Sequence, residues 1–204
     1  MVFLDITATS EKRKTLAELV EKIAREINIP FTVGGGINTV DDAVTIIKAG
    51  ADKISINSAA VKNPYLIKEI AERFGSQAVV VAVDTKFENN DWFVYINGGK
   101  VATGITTINW VKKVEKLGAG EILLTSMNND GTKQGFAIDI TNAVSLSINI
   151  PVIASGGAGT MEHFKTVFEN TKATGALAAS IFHFGEIPIP ILKQYLKDHN
   201  INIR

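Results

Sequence analysis

The chain has 204 residues, of which 46% are hydrophobic and 21% charged, and its formal net charge is zero. This composition fits one compact domain with a sizeable core, and the even spread of lysine and arginine excludes a basic surface for nucleic acid or anionic lipid. The absence of cysteine excludes disulfides and thiolate metal sites, and the three histidines are scattered. No apolar stretch approaches the roughly 20 residues that span a bilayer, so we expect a cytoplasmic protein with no metal and no other cofactor.

Apolar runs alternate with amphipathic stretches along the whole chain. We predict seven strands, which begin at Val2, Phe31, Lys53, Val79, Ile122, Val152 and Ala176. The apolar positions in these runs are consecutive, which is typical of a parallel sheet covered on both faces. The stretches between them have helical periodicity, and Thr39 with Asp42 predicts a capped helix start. The alternation predicts an α/β fold built from seven βα units.

One segment, residues 87–104, breaks this alternation. The run Trp92–Ile96, followed by Asn97-Gly98, predicts a β-hairpin inserted after the fourth strand. We expect the insertion to belong to a single partial barrel domain that spans residues 1–204. A loop of this size on the functional face of a barrel is expected to act as a lid.

Strand ends recur at a constant spacing. Gly34-Gly35-Gly36 and Gly156-Gly157 each follow a strand and are 122 residues apart, as are Ser58 and Ser180. Two similar halves of a TIM (β/α)8 barrel explain this repeat, but the strand that ends in Asp84 then has no mate. We therefore expect one strand and one helix, about 40 to 50 residues, to be absent before residue 1, since typical barrels have ~250 residues. A natural open sheet of seven units is the alternative.

Asp84 closes the apolar run that begins at Val79. The carboxyl ends of the strands form the active-site face of a (β/α)8 barrel, so a carboxylate here is predicted to act as a general acid or base. An Asp that only caps a turn is the alternative. The two glycine loops favour the catalytic interpretation, because backbone N–H groups and the helix behind each loop bind anions. Two such loops predict a substrate with a phosphate at each end.

Several segments resemble one enzyme family over all 204 residues. They are Phe74–Asp84, Leu123–Met127, Asp130–Thr132, Ala154–Gly159 and Ala178–Phe184. These segments are similar to motifs of the cyclase subunit of imidazole glycerol phosphate synthase, a lyase of histidine biosynthesis. The resemblance implies a (β/α)8 barrel that uses ammonia from a glutaminase subunit. It implies conversion of a bis-phosphorylated ribulosyl aminoimidazole carboxamide nucleotide to imidazole glycerol phosphate and aminoimidazole carboxamide ribotide.

The resemblance also implies roles for individual residues. Asp84 matches one of two catalytic aspartates, and the other would lie on the absent first strand. The positions that match phosphate or substrate contacts are Gly36, Asn57, Ser58, Thr125, Asp130, Gly131, Ser155, Gly157, Ala179 and Ser180. At the opposite mouth, Asp52, Lys53 and Glu121 resemble residues of the glutaminase interface and ammonia gate. Ordinary solvated surface charges are the alternative for these three.

Two departures from the family pattern stand out. Asn128 occupies a position where many members have an acidic residue, and we expect a modest effect. The absent first unit would remove a catalytic carboxylate, so we expect poor turnover. The related phosphoribosyl isomerase barrel of the same pathway is an alternative, which the segment Ser180–Phe184 disfavours. A second alternative is a non-catalytic fragment that binds phosphates or the glutaminase.

Overall fold

The computed structural model describes residues 1–4 and 17–203. Its sheet contains the strands β1 (Val2–Leu4), β2 (Thr32–Gly34), β3 (Lys53–Ile56), β4 (Val79–Glu88), β5 (Asp91–Ile96), β6 (Val101–Thr106), β7 (Glu121–Ser126), β8 (Val152–Ser155) and β9 (Gly175–Leu177). Seven of them run parallel in the order β1-β2-β3-β4-β7-β8-β9. This sequential order is that of the βα units of a (β/α)8 barrel.

Helices connect the parallel strands and cover one face of the sheet. They are α1 (Ala17–Glu26), α2 (Val40–Lys48), α3 (Ser58–Lys62), α4 (Tyr65–Phe74), α5 (Thr107–Lys116), α6 (Ile138–Ser147), α7 (Met161–Asn170), α8 (Ser180–His183) and α9 (Ile189–Asp198). The part of the first predicted helix before Ala17, and Asp5, lie outside the described residues. Along β4, Val79, Val81 and Val83 are fully buried against the helices. The main core therefore lies between the helices and this outer face of the sheet.

Two helices begin with the same backbone geometry. Thr39 precedes α2 with φ −134° and ψ 164°, and Thr160 precedes α7 with φ −135° and ψ 163°. In each case the side chain three residues later, Asp42 or His163, completes a capping box, as predicted for Thr39 and Asp42. The two caps are 121 residues apart, so the repeat seen in the sequence is also present in the backbone.

The fourth and the last parallel strands end at different positions from those predicted. β4 does not end at Asp84 but continues to Glu88, because its last five residues pair antiparallel with β5. β9 ends at Leu177 rather than Ile181, because its partner β8 ends at Ser155, opposite Leu177. The residues that follow form the short helix α8 instead.

Within the described residues, the sheet is open at both ends of the strand order. Among residues 1–4 and 17–203, no strand pairs with the outer edge of β1 or of β9. The insertion at 87–104 lies outside the row of parallel strands, where β4, β5 and β6 form an antiparallel ribbon.

Among the described residues, no helix is both long and apolar enough to cross a membrane.

Candidate active site

Asp84 lies on the inner face of the sheet, the face opposite the helices. Side chains alternate between faces along a strand, and the neighbouring residues of β4 are buried on the helix side. Asp84 is in register with Thr125 of β7, which in turn pairs with Ser155 of β8. The predicted pocket residues Thr125 and Ser155 therefore share one edge of the sheet with Asp84.

The environment of Asp84 changes its acidity. The pKa of this carboxyl is raised from 3.8 to about 6, mainly by burial; a hydrogen bond from Asn57 lowers it, and the negative charge of Asp130 adds a smaller increase. Asn57 Nδ2 donates this bond to Asp84 Oδ2 at 3.0 Å. A carboxyl with a pKa near neutral both accepts and releases protons at physiological pH, as general acid–base catalysis requires.

Asn57 directs its side chain to Asp84 rather than to the helix that it precedes. It occupies the N-cap position of α3, yet its side chain makes no capping hydrogen bond. Its Oδ1 atom is buried and accepts no hydrogen bond from the described residues. Buried polar atoms normally have a partner, so this oxygen is an unsatisfied acceptor beside Asp84.

The first glycine loop follows β2 and leads into α2. Gly36 has φ 68°, in the left-handed region, and its carbonyl accepts a hydrogen bond from Asn38 Nδ2 at 2.9 Å. Asp42 Oδ2 accepts the amides of Asn38 and Thr39, each at 3.0 Å. An anion at this loop must therefore bind the amides that come before Asn38.

The hairpin insertion contacts the first glycine-loop site. The amide of Asn97, in the turn between β5 and β6, donates to Ser58 Oγ at 2.9 Å. The Ser58 hydroxyl accepts this bond and keeps its own hydrogen for another acceptor. A Cβ atom at Gly99 would lie 2.2 Å from Met127 Cε, so the turn also packs against the loop after β7. The insertion thus lies over the carboxyl ends of β3 and β7.

The second glycine loop follows β8 and leads into α7. Gly157 has φ 101°, and its carbonyl accepts the amide of Gly135 at 2.7 Å. His163 Nδ1 accepts the amides of Gly159 at 3.1 Å and Thr160 at 3.3 Å. In both loops, two adjacent backbone amides therefore donate to one side chain. The acceptor is a carboxylate in the first loop and an imidazole nitrogen in the second.

The loop after β7 packs against the second glycine loop. Asn129 joins its two ends, since Oδ1 accepts from Ser126 Oγ at 2.8 Å and Nδ2 donates to the Gly135 carbonyl at 2.9 Å. Asp130 and Gly131, between these ends, are exposed.

Asn128 Oδ1 accepts the amide of Phe87 at 2.8 Å. A carboxylate would accept the same bond, so the departure at Asn128 keeps this contact with β4.

The other predicted phosphate positions lie at the start of α8. Ala179 has φ −111° and ψ −73°, close to the −127° and −92° of Asn57, and each residue precedes a short helix that begins with serine. Ala179 and Ser180 are both exposed. The repeat therefore places Ser58 and Ser180 at equivalent points of the two halves.

Lys53 and Glu121 lie at the opposite end of the inner face. Lys53 Nζ is 2.6 Å from Glu121 Oε2, and both side chains are partly buried. Lys53 precedes Asn57 by four residues on the same face, which is about 13 Å in an extended strand. Asp52 Oδ2 accepts the amide of Phe31 at 2.8 Å, so this carboxylate also has a structural role.

Three contributors to the site were not predicted from the sequence. His163 follows Thr160 at capping-box spacing, and this spacing is a signal that sequence analysis can use. The contact of Asn97 with Ser58 and the ion pair of Lys133 with Glu186 join residues that are far apart in the chain. No local pattern identifies either contact.

A sequential parallel α/β sheet with a partly buried carboxylate among polar side chains at its carboxyl edge defines a (β/α)8-barrel enzyme. The family profile described as histidine biosynthesis protein matches residues 1–188. The chain is 59% identical to imidazole glycerol phosphate synthase subunit HisF of Parabacteroides distasonis, and 58% identical to the same subunit of Hydrogenobaculum sp. and of Streptococcus mutans. These alignments cover 100% of this chain and 81%, 81% and 82% of the three relatives.

The chain belongs to the family of cyclase subunits of imidazole glycerol phosphate synthase. The predicted family, the barrel fold class and the lyase-type cyclase function in histidine biosynthesis are confirmed.

Proposed function

We propose that the chain binds a bis-phosphorylated ribulosyl nucleotide across the carboxyl ends of its strands. One phosphate binds at Gly36, Asn57 and Ser58, and the other binds at Gly131, Gly157 and Ser180. The observation that carries this proposal is the pair of equivalent glycine loops with Asp84 on the strand between them. Backbone amides of such loops and the following helix N-termini favour phosphate groups.

Asp84 performs the proton transfers of cyclisation. With a pKa of about 6 it is largely ionised at pH 7 and accepts a proton first, and it returns the proton later in the cycle. Asn57 holds one carboxylate oxygen, which leaves the other to meet the substrate. A positioned acid or base of this kind contributes about 10²–10⁴-fold to the rate.

Ammonia comes from a glutaminase subunit that binds at the amino ends of the strands. The relatives are named as subunits of a synthase, which supports a partner subunit for this chain. Asp52, Lys53 and Glu121 lie at that end, and Lys53 and Glu121 are on the inner face that leads towards Asp84. This position of the ion pair supports a role in controlling the entry of a small neutral nucleophile.

The test is a titration of the purified chain with the bis-phosphorylated nucleotide, followed through the amide resonances of Gly36 and Gly157. One ligand that spans both loops should shift both resonances with one dissociation constant and a 1:1 stoichiometry. Orthophosphate should bind more weakly at each loop, because it lacks the effective-concentration advantage of the linked second phosphate. Different constants at the two loops for the nucleotide would contradict the proposal.

The Asp84→Asn variant is the control in this titration. It should bind the nucleotide within about threefold of the parent, and any ammonia-dependent turnover that the parent shows should fall by about 10²–10⁴-fold. Equal turnover in the two proteins would remove Asp84 from the mechanism. Binding at both loops without turnover in the parent would instead favour the non-catalytic alternative.

A further inference from the structure

An ion pair joins two segments that border the second glycine loop. Lys133 Nζ lies 2.6 Å from Glu186 Oε1 and 2.7 Å from Oε2. The two side chains are 45% and 41% exposed, and an ion pair this exposed adds little to stability. Breaking this ion pair therefore costs little free energy when the Lys133 ammonium group moves to another partner.

The backbone of Lys133 is held in place even though its side chain is exposed. Lys133 has φ 58°, a conformation that residues other than glycine adopt infrequently. Its carbonyl oxygen would lie 2.3 Å from a Cβ atom at Gly159, so the backbone rests directly on the second glycine loop. Movement of the ammonium group is therefore confined to an arc close to that loop.

Glu186 is positioned beside α8, the helix that begins at Ser180. The amide of Gly185 donates to the Phe182 carbonyl and the amide of Ile187 donates to the Ile181 carbonyl, each at 3.1 Å. These bonds fold the segment around Glu186 back onto the helix. The ion pair thus connects the loop that carries Gly131 to the helix that carries Ser180.

The proposed second phosphate position otherwise has an unfavourable charge balance. Its backbone and hydroxyl donors come from Gly131, Gly157 and Ser180, which are neutral, and Asp130 is an exposed carboxylate on the same loop. Phosphate dianions are usually paired with a cation, and a lysine ammonium group suits this role as a mobile point charge. Lys133 is a cation two residues from Gly131.

We infer that Lys133 transfers from Glu186 to the substrate phosphate at the second glycine loop, and that Glu186 holds this lysine in place until the phosphate arrives. This inference rests on the proposed function and adds to it a phosphate-binding residue and a competing carboxylate. It predicts opposite effects for the two members of one ion pair. A simple structural latch predicts the same effect for both.

The experiment measures binding of inorganic phosphate at each loop through the amide resonances of Gly157 and Gly36. Lys133→Met should weaken binding at Gly157 on the order of three- to tenfold. Glu186→Gln should tighten it on the order of twofold or more, because it releases Lys133 and removes a repelling charge. In the double variant the part of the tightening that comes from releasing Lys133 should disappear, so Glu186→Gln should have a smaller effect on the Lys133→Met background than on the parent, and binding at Gly36 should stay unchanged throughout.

Lys68→Met on α4 is the matched control. It breaks an exposed ion pair with Glu72 and changes the net charge equally, and it should leave binding at both loops unchanged. Equal weakening by Lys133→Met and Glu186→Gln would overturn the exchange, as would parental affinity in Lys133→Met, while the proposed function would stand. Absence of any phosphate shift at Gly157 in the parent would overturn both.

Discussion

Asp84 illustrates how a partly buried carboxyl group lowers the stability of the fold once it is ionised. Its carboxyl has a pKa of about 6 in the native state, against 3.8 in the absence of the fold, mainly because burial disfavours the charged form. Between pH 4 and 6 the native state holds a proton that the unfolded chain has released. Protonated Asp84 therefore contributes fully to the free energy of unfolding below pH 4, and this contribution is lost as the pH rises to about 6.

Asp84→Asn should remove this pH-dependent cost. The amide stays neutral, and its oxygen still accepts the bond from Asn57 Nδ2. The difference of about two pKa units corresponds to about 3 kcal/mol, so above pH 6 the variant should be more stable than the parent by up to about that amount. Urea denaturation at pH 4, 6 and 8 measures the difference, which should shrink towards pH 4. A parent more stable than the variant at pH 8 would contradict this explanation.

At the scale of elements, the second glycine loop is shaped by the loop packed on it. A Cβ atom at Gly157 would lie 2.1 Å from the carbonyl oxygen of Gly135, which is backbone and cannot move as a flexible side chain can. Gly131, by contrast, has φ 76° but nothing within 4 Å of the corresponding position. Substitutions at these two glycines therefore distinguish the cost of steric overlap from the cost of backbone strain.

Gly157→Ala should lower the free energy of unfolding by more than about 2 kcal/mol, because overlap adds to the strain of a left-handed residue. Gly131→Ala should lower it by about 1 kcal/mol through strain alone. Urea denaturation of the two variants beside the parent makes the comparison. Equal losses would show that the contact with Gly135 relaxes at little cost.

At the scale of the whole molecule, the open sheet exposes apolar side chains near its last strand. Phe184 and Ile191, in the segment after β9, are 74% and 55% exposed, and Leu4 on β1 is also exposed. The outer edges of β1 and β9 have unpaired backbone groups within the described residues. Unpaired strand edges beside apolar side chains favour association between chains.

The 204-residue chain should therefore associate with itself at micromolar concentration. Sedimentation velocity over a concentration series should show species larger than a monomer, and the double change Phe184→Ser and Ile191→Ser should reduce them. Thermal stability should change little, because both side chains are mostly exposed. Tyr65→Ser, which removes a 69% exposed aromatic side chain on α4, should not reduce association. A parent that stays monomeric at all concentrations would show that these edges are protected.

The sequence by itself determined the order of the parallel strands, the cap at Thr39, the glycine loops and the family. Each depends on residues close together in the chain: apolar periodicity selects strands and helices, and side chains three residues apart close a cap. The family motifs are likewise short continuous segments.

Only the tertiary structure decided that β4 continues past Asp84, because β5 supplies new hydrogen-bond partners there. It also decided that β9 ends at Leu177, where β8 has no more residues to pair. The bond from Asn57 to Asp84 and the ion pair of Lys133 with Glu186 join residues 27 and 53 positions apart. The acidity of Asp84 depends on its burial and on Asn57 and Asp130, which are distant in the chain, so no local stretch of sequence determines it.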